Sequence, residues 1–281
     1  MPERIVVGVD GSEGALRALA WAADEAARRD VELEVVHVAE AGGTSGTVLE
    51  RALEEADEVS PGLVARARRL EGDPGRLLVE RSSDALLLVV GARGHRELLL
   101  KLGSVSGTCV HHARSPVVVV PRPDQGEGGR PAAPGGRILA GVDGSEGSRL
   151  ALAWAFEEAA LRRRPLEVVS CWHDPYTNDM SLEYEAPYFR RDRVTARQSA
   201  ERELARLVAA VDPGGAVKVS QLLIEGDAGD TLCDEARGAD LLVVGSRGRG
   251  GFARLLLGSV SSACAHESPC PTAIIRPRKG A

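Results

Sequence analysis

In the second half of the chain, Gly245-Ser246-Arg247-Gly248 is followed by nine residues, Arg249 to Leu257, and then by Gly258-Ser259-Val260-Ser261. The pattern G-x2-G-x9-G-S suits a phosphate. Glycines let backbone N–H groups approach an anion with no Cβ in the way. A helix opening at Gly258 adds free amides and the positive end of its dipole. Ser259 and Ser261 can add hydroxyl donors, and Arg247 and Arg249 can add charge. The first half has a shorter version, in which eight residues, His95 to Leu102, separate Gly94 from Gly103-Ser104-Val105-Ser106. Asp10 and Asp143, each followed by Gly-Ser, are the acids to set beside these loops. Such an Asp could hold ribose hydroxyls or a phosphate-bound Mg²⁺. It could equally serve only a turn or a helix N-cap.

Other chemistries find less support. The Walker A pattern GxxxxGK[ST] occurs in neither half. GRGGFA at 248–253 fits the dinucleotide fingerprint G-x-G-x-x-A but follows a fourth strand rather than a first, which makes it a coincidence. DGSEG around Ser12 and Ser145 fails the nucleophile elbow G-x-S-x-G at its first glycine. Six His show no HxxxH or HExxH spacing, so metal ligation is not expected. Five Cys form no CxxC pair, and the expectation is reduced thiols acting as small buried hydrophobes. No acid–base pair or nucleophile recurs in both halves, which weighs against catalysis.

The elements that must position these loops come from one unit used twice. IVVGVDGSEG at 5–14 returns as ILAGVDGSEG at 138–147, an offset of 133 that Trp21 and Trp154 keep. LLLVVGARG at 86–94 matches DLLVVGSRG at 240–248 at an offset of 154, which EGD at 71–73 and 225–227 already share. LGSVS recurs at 102–106 and 257–261. The second copy therefore carries 21 extra residues, around Asp174–Asp212, and the first copy lacks one residue between Gly94 and Gly103. RPDQGEGGRPAAPGG reads as a linker, so the expected domains are 1–121 and 137–281, joined by 122–136.

Within each copy, short Val/Ile/Leu runs alternate with helical patterns. Strands are expected at 4–9, 33–38, before the first EGD, at the LLLVVG run and at 116–121, with counterparts in the second copy. Helices are expected at 12–29, 47–59 and 74–82, and from the first GSVS onward. The second copy repeats them at 145–163, 181–210, 228–237 and from the second GSVS. Such alternation gives α/β domains with a parallel sheet and right-handed crossovers. Ligands of such sheets sit beyond the carboxyl ends of the strands, where strand order reverses. With 281 residues, 43% hydrophobic, 27% charged and only 3% aromatic, the chain suits two aliphatic-cored domains. A net charge of −6 and so few aromatics argue against nucleic-acid binding, and no apolar run spans a membrane or forms a secretory signal. A cytoplasmic protein is expected.

This combination resembles the universal stress protein family in its tandem two-domain form. The carriers are the two VDGSEG segments, the two EGD turns, LLVVGSRGRGGFARLLLGSVS with its shorter counterpart, and the closing SPVVVV and SPCPTAII. The resemblance implies two Rossmann-like domains, each an open five-stranded parallel sheet of order 3-2-1-4-5 with helices on both faces. It implies ATP as ligand, with or without Mg²⁺, and pairing of the domains through their last strands. Whether that pair forms a homodimer stays open. Carried over by residue, Gly8, Asp10, Gly141 and Asp143 would stand by ribose and phosphates. Val38 and Cys171, ending the second strands, would offer backbone groups to adenine. Gly91, Arg93, Gly94, Gly245, Arg247 and Gly248 would line ribose and phosphates. Gly103, Ser104, Val105 and Ser106, with Gly258, Ser259, Val260 and Ser261, would hold the triphosphate. The first copy's shorter loop departs from the pattern, so the second domain is expected to be the better site.

The function expected is ATP binding by a regulatory or stress-adaptation protein that is not an enzyme. Alternatives are a slow ATPase or nucleotidyl-transfer relative on the same fold, and an interaction module that binds no nucleotide.

Overall fold

A computed structural model describes residues 3–39, 46–92, 102–122, 136–172, 186–215, 217–249 and 256–277, with only the backbone of 186–192. In the first half, β1 (Arg4–Gly8), α1 (Glu13–Arg29), β2 (Glu32–Ala39), α2 (Gly46–Val59) and β3 (Ala65–Glu71) are followed by α3 (Pro74–Arg81), β4 (Leu87–Gly91), α4 (Ser104–His112) and β5 (Val117–Val120). The second half repeats the series: β6 (Ile138–Gly141), α5 (Glu146–Arg162), β7 (Leu166–Trp172), α6 (Ala186–Val211), β8 (Val219–Glu225), α7 (Ala228–Glu235), β9 (Leu241–Gly245), α8 (Ser259–Glu267) and β10 (Thr272–Ile275). The ends fall within a few residues of those expected. The second strands each run one residue past Val38 and Cys171. The second helix takes 12 of the 21 extra residues, with 14 residues in α2 against 26 in α6.

The sheet order is β3-β2-β1-β4-β5-β10-β9-β6-β7-β8, so each half has its first strand between its second and fourth. All pairs within a half are parallel. Among the described strands only β5 and β10 run antiparallel, with Val119 opposite Thr272 and Val117 opposite Ile274, and they fuse the halves into one ten-stranded sheet. The interior strands are apolar on both faces because helices cover both. Ile5 and Val7 join the core under α1 and α2, while Val6 joins the core under α3 and α4. The outer strand β3, ARARRLE, is largely exposed and arginine-rich, which discourages further strand addition.

Over the β5–β10 seam, α1 meets α5 in a two-fold arrangement that follows from the repeat. Glu25 and Glu158 are fully buried. The Arg29 guanidinium donates to Glu25 at 2.5 Å and also to Glu158. Arg162 donates to Glu158 at 2.8 Å and also to Glu25. Arg29 lies 5.7 Å from the Trp154 ring and Arg162 5.1 Å from the Trp21 ring, a cation–π contact in each direction. Burial and the neighbouring Glu25 charge push the Glu158 carboxyl up to about 7, against the pull of Arg162 and Arg29.

Candidate nucleotide clefts

Each first strand ends on an Asp-Gly-Ser turn that starts a helix. Gly11 and Gly144 have φ of 82° and 79°, a conformation that a Cβ disfavours, which accounts for glycine there. The turn lets Asp10 and Asp143 accept the Ser12 and Ser145 amides, both at 2.9 Å. Ser12 and Ser145 then cap α1 and α5 by accepting from Ala15 and Ser148 amides. The turn reading therefore holds for both aspartates, each accepting the amide two residues on, while the serines cap the helices.

The other wall is the helix after the fourth strand. Helices α1, α3, α5 and α7 open on Ser12, Asp73, Ser145 and Asp227, whose side chains accept first-turn amides. Helices α4 and α8 open instead on Gly103 and Gly258, with no side-chain cap. Their starts are fixed from behind: Gly103 donates to Ala92 at 2.7 Å and Gly258 to Ser246 at 2.8 Å. Gly258 has φ −79°, which any residue adopts, and a Cβ there would meet no protein atom closer than 3.5 Å. Neither backbone nor packing requires glycine at this position. Uncapped first-turn amides and the positive end of a helix dipole favour anions.

Between these walls lie two cavities. The first, about 530 Å³, is lined by Gly8, Asp10, Val38, Gly91, Gly103, Ser104, Val105 and Ser106 among others. The second, about 410 Å³, is lined by Gly141, Asp143, Cys171, Gly245, Arg247, Gly248, Gly258, Ser259, Val260 and Ser261. Of the residues singled out from sequence, the structure brings all described ones to a cavity. Arg93 and Gly94 lie outside the described residues.

Some roles differ from expectation. Gly91 and Gly245 are required by the protein itself: a Cβ would come within 2.7 Å of the backbone of Gly14 and Gly147, in the first turns of α1 and α5. A Cβ on Gly8 or Gly141 would strike Leu78 or Leu232 at 2.7 and 2.6 Å. These glycines let helices sit tightly on strand ends. The Ser261 hydroxyl, expected as a phosphate donor, donates to the Gly245 carbonyl at 2.6 Å, and Ser106 donates to Ala92 at 2.9 Å. Both are buried, so what they can offer a ligand is the backbone amide. Burial pushes the Cys171 thiol up.

Sequence reasoning also missed parts of the walls. Gly72, Asp73, Pro74 and Leu78 line the first cavity, and Ala228 and Leu232 the second. The repeated EGD turn was their signal, since it ends β3 and β8 on the same side as the other strand ends. The second cleft carries a latch as well. Asp143 Oδ2 accepts the Arg249 amide at 2.8 Å, and a Cβ on Gly248 would lie 2.4 Å from the same oxygen. Burial pushes the Asp143 carboxyl up, but bonds from Ser145, the Arg249 amide and Ser148 outweigh it and hold it below 3.8. The Arg249 guanidinium reaches Glu203 on α6, at 3.5 Å. Among the described residues no group of three or more His, Cys, Asp or Glu could hold a metal ion. A Mg²⁺ here would depend on phosphate oxygens plus one aspartate.

A model of the universal stress protein family matches residues 1–121 and again 136–276. A universal stress protein of Mycolicibacterium smegmatis is 35% identical over 298 residues, covering 98% of this chain and 97% of that protein. One from Mycobacterium tuberculosis is 33% identical over 296 residues, covering 97% and 96%. Among solved structures, a universal stress protein from Archaeoglobus fulgidus aligns with a TM-score of 0.62 at 19% identity, covering 99% of this chain and 97% of that one. A putative universal stress protein from Pseudomonas aeruginosa aligns at 0.65 and 18%, covering 99% and 94%. The last two share the fold. The chain belongs to the universal stress protein family.

Proposed function

We propose that this universal stress protein binds ATP in a cleft of each domain and acts as a regulatory protein rather than an enzyme, with the second domain the tighter site. The domains are taken as 1–121 and 137–281. The observation that carries the reading is the pair of uncapped glycine-started helices, each facing an aspartate across a cavity at the carboxyl ends of β1 and β4 or β6 and β9. In the second domain, Gly258, Ser259, Val260 and Ser261 amides would receive the phosphates, with Arg247 and Arg249 adding charge. Asp143 would face the ribose, and the end of β7 near Cys171 would face adenine. In the first, Gly103, Ser104, Val105 and Ser106 would take the phosphates, Asp10 the ribose side and Val38 the adenine side. The two halves would work as an intramolecular pair, a reading supported by the β5–β10 ladder and the Glu25–Arg29–Glu158–Arg162 cluster. Five free cysteines suit the cytoplasm.

The test is saturation binding of ATP to nucleotide-free protein, with mass spectrometry of any nucleotide released on denaturing the purified protein. Two sites of unequal affinity are expected. No detectable binding and no retained nucleotide would overturn the proposal. Steady-state ATP turnover that persists through purification would move the protein to the enzyme reading.

A further inference from the structure

Four of the five cysteines belong to the second domain, and three of them meet at one place. Cys233 on α7, Cys264 on α8 and Cys270 before β10 line a single open cavity of about 710 Å³ on the face away from α1 and α5. Cys233 and Cys264 are neighbours across the contact between α7 and α8, and each perturbs the titration of the other. The two helices carrying them are closely packed: a Cβ on Gly229 of α7 would come within 2.9 Å of Ala263 of α8. Cys233 is half-buried and reachable from the cavity, whereas Cys264 and Cys270 are buried. The first domain provides a contrast built into the same chain. Its counterpart of Cys264 is Cys109, but Val79 stands where α7 has Cys233.

We propose that Cys233 and Cys264 form a reversible disulfide when the protein meets a peroxide, making the α7–α8 pair a thiol-oxidation site. Cys233 starts the reaction. Its thiol is shifted down by the neighbouring Cys264, which outweighs burial and the nearby Glu267, Asp230 and Asp234. Burial pushes Cys109 and Cys270 up to about 12, and Cys264 is raised as well, by the neighbouring Cys233 and by burial. The Cys233 thiolate attacks one peroxide oxygen, the O–O bond breaks, and the hydroxide released takes up the proton that the thiol lost, giving water. Cys233 is then a sulfenic acid. Cys264 attacks its sulfur, the S–S bond forms, the S–O bond breaks, and the Cys264 proton leaves with the hydroxyl as a second water. Two thiols are oxidised by two electrons and one peroxide is reduced. The bond would tie together the two helices that border the second cleft, since Ala228 and Leu232 of α7 and Ser259 to Ser261 of α8 line it. The site itself does not depend on what that cleft binds.

The test uses the full chain, reduced and then exposed to hydrogen peroxide, with remaining thiols alkylated and an unreduced digest mapped by mass spectrometry. One peptide pair linked through Cys233 and Cys264 is expected, with loss of about two alkylatable thiols per chain and recovery of both with dithiothreitol. Cys109 should stay a thiol throughout. Cys233→Val, the residue the first domain uses, should abolish the link. In Cys264→Ser, Cys233 should stop at a sulfenic acid that dimedone traps, so a folding failure of either variant leaves the other informative. A link through Cys270 or Cys171, a disulfide between two chains, direct passage of Cys233 to the sulfinic acid, or no thiol loss would each overturn the assignment.

Discussion

The two clefts are built from the same repeat but not finished alike. In the first, Asp10 is exposed, the walls enclose about 530 Å³, and the helix that follows β2 has 14 residues. In the second, Asp143 is half-buried, its Oδ2 accepts the Arg249 amide, and the 26-residue α6 brings Glu203 to the Arg249 side chain. The second aspartate thus holds the amide of Arg249, and a longer helix stands beside it. The lesson is that duplication copies a frame of strand ends and helix starts, while the segments joined to that frame differ in length between the copies.

The comparison can be broken most severely at the strand ends, where both halves should behave alike. Gly245→Ala and Gly91→Ala each drive a Cβ to 2.7 Å from helix backbone, and each should cost about 3 kcal/mol of stability, read by denaturant unfolding. If one is tolerated, the shared frame is not shared. Gly258→Val comes next. Its nearest protein atoms lie 3.5 Å from a Cβ, so melting should change little, while ATP affinity of the second domain falls by about tenfold or more, seen as one weakened site in calorimetric titration. A stable variant with both sites intact would refute the phosphate assignment.

The aspartate of the second cleft can be tested directly. Asp143→Ala leaves the Arg249 amide without its acceptor and should cost about 1 kcal/mol relative to the parent in unfolding measurements. Because folding lowers the Asp143 pKa, its contribution is fully present above the ordinary 3.8 and fades as pH falls through the lowered value. A further effect concerns the seam between the halves. Folding raises Glu158 from 4.5 to about 7, so the folded protein holds the extra proton in that window and stability declines as pH climbs across it. Glu158→Gln should flatten that slope, checked by thermal melts from pH 5 to 8 within about 1 kcal/mol of the parent at the acidic end.

Much of this frame was legible before any coordinates. Short, β-branched Val/Ile runs bounded by turn residues read as strands, and GSVS at an offset of 155 marked both uncapped helix starts. The roles inside the cleft were less legible. Nothing in the order of residues says that the Ser261 hydroxyl turns back to Gly245, or that Gly91 faces a helix rather than a ligand. Both depend on how closely a helix that begins far away in the chain comes to the strand end.

By itself the sequence determined the doubled unit, the alternation of strands and helices, and the glycine-started helices. Those features rest on local conformational preference and on hydrophobic period, which are written residue by residue. Only the tertiary structure decided that Glu25, Arg29, Glu158 and Arg162 close a buried cluster across the seam, that Asp143 holds the Arg249 amide, and that Cys233 meets Cys264. Each of these joins residues from separate elements, and a contact of that kind exists only once hydrophobic burial has brought the elements together.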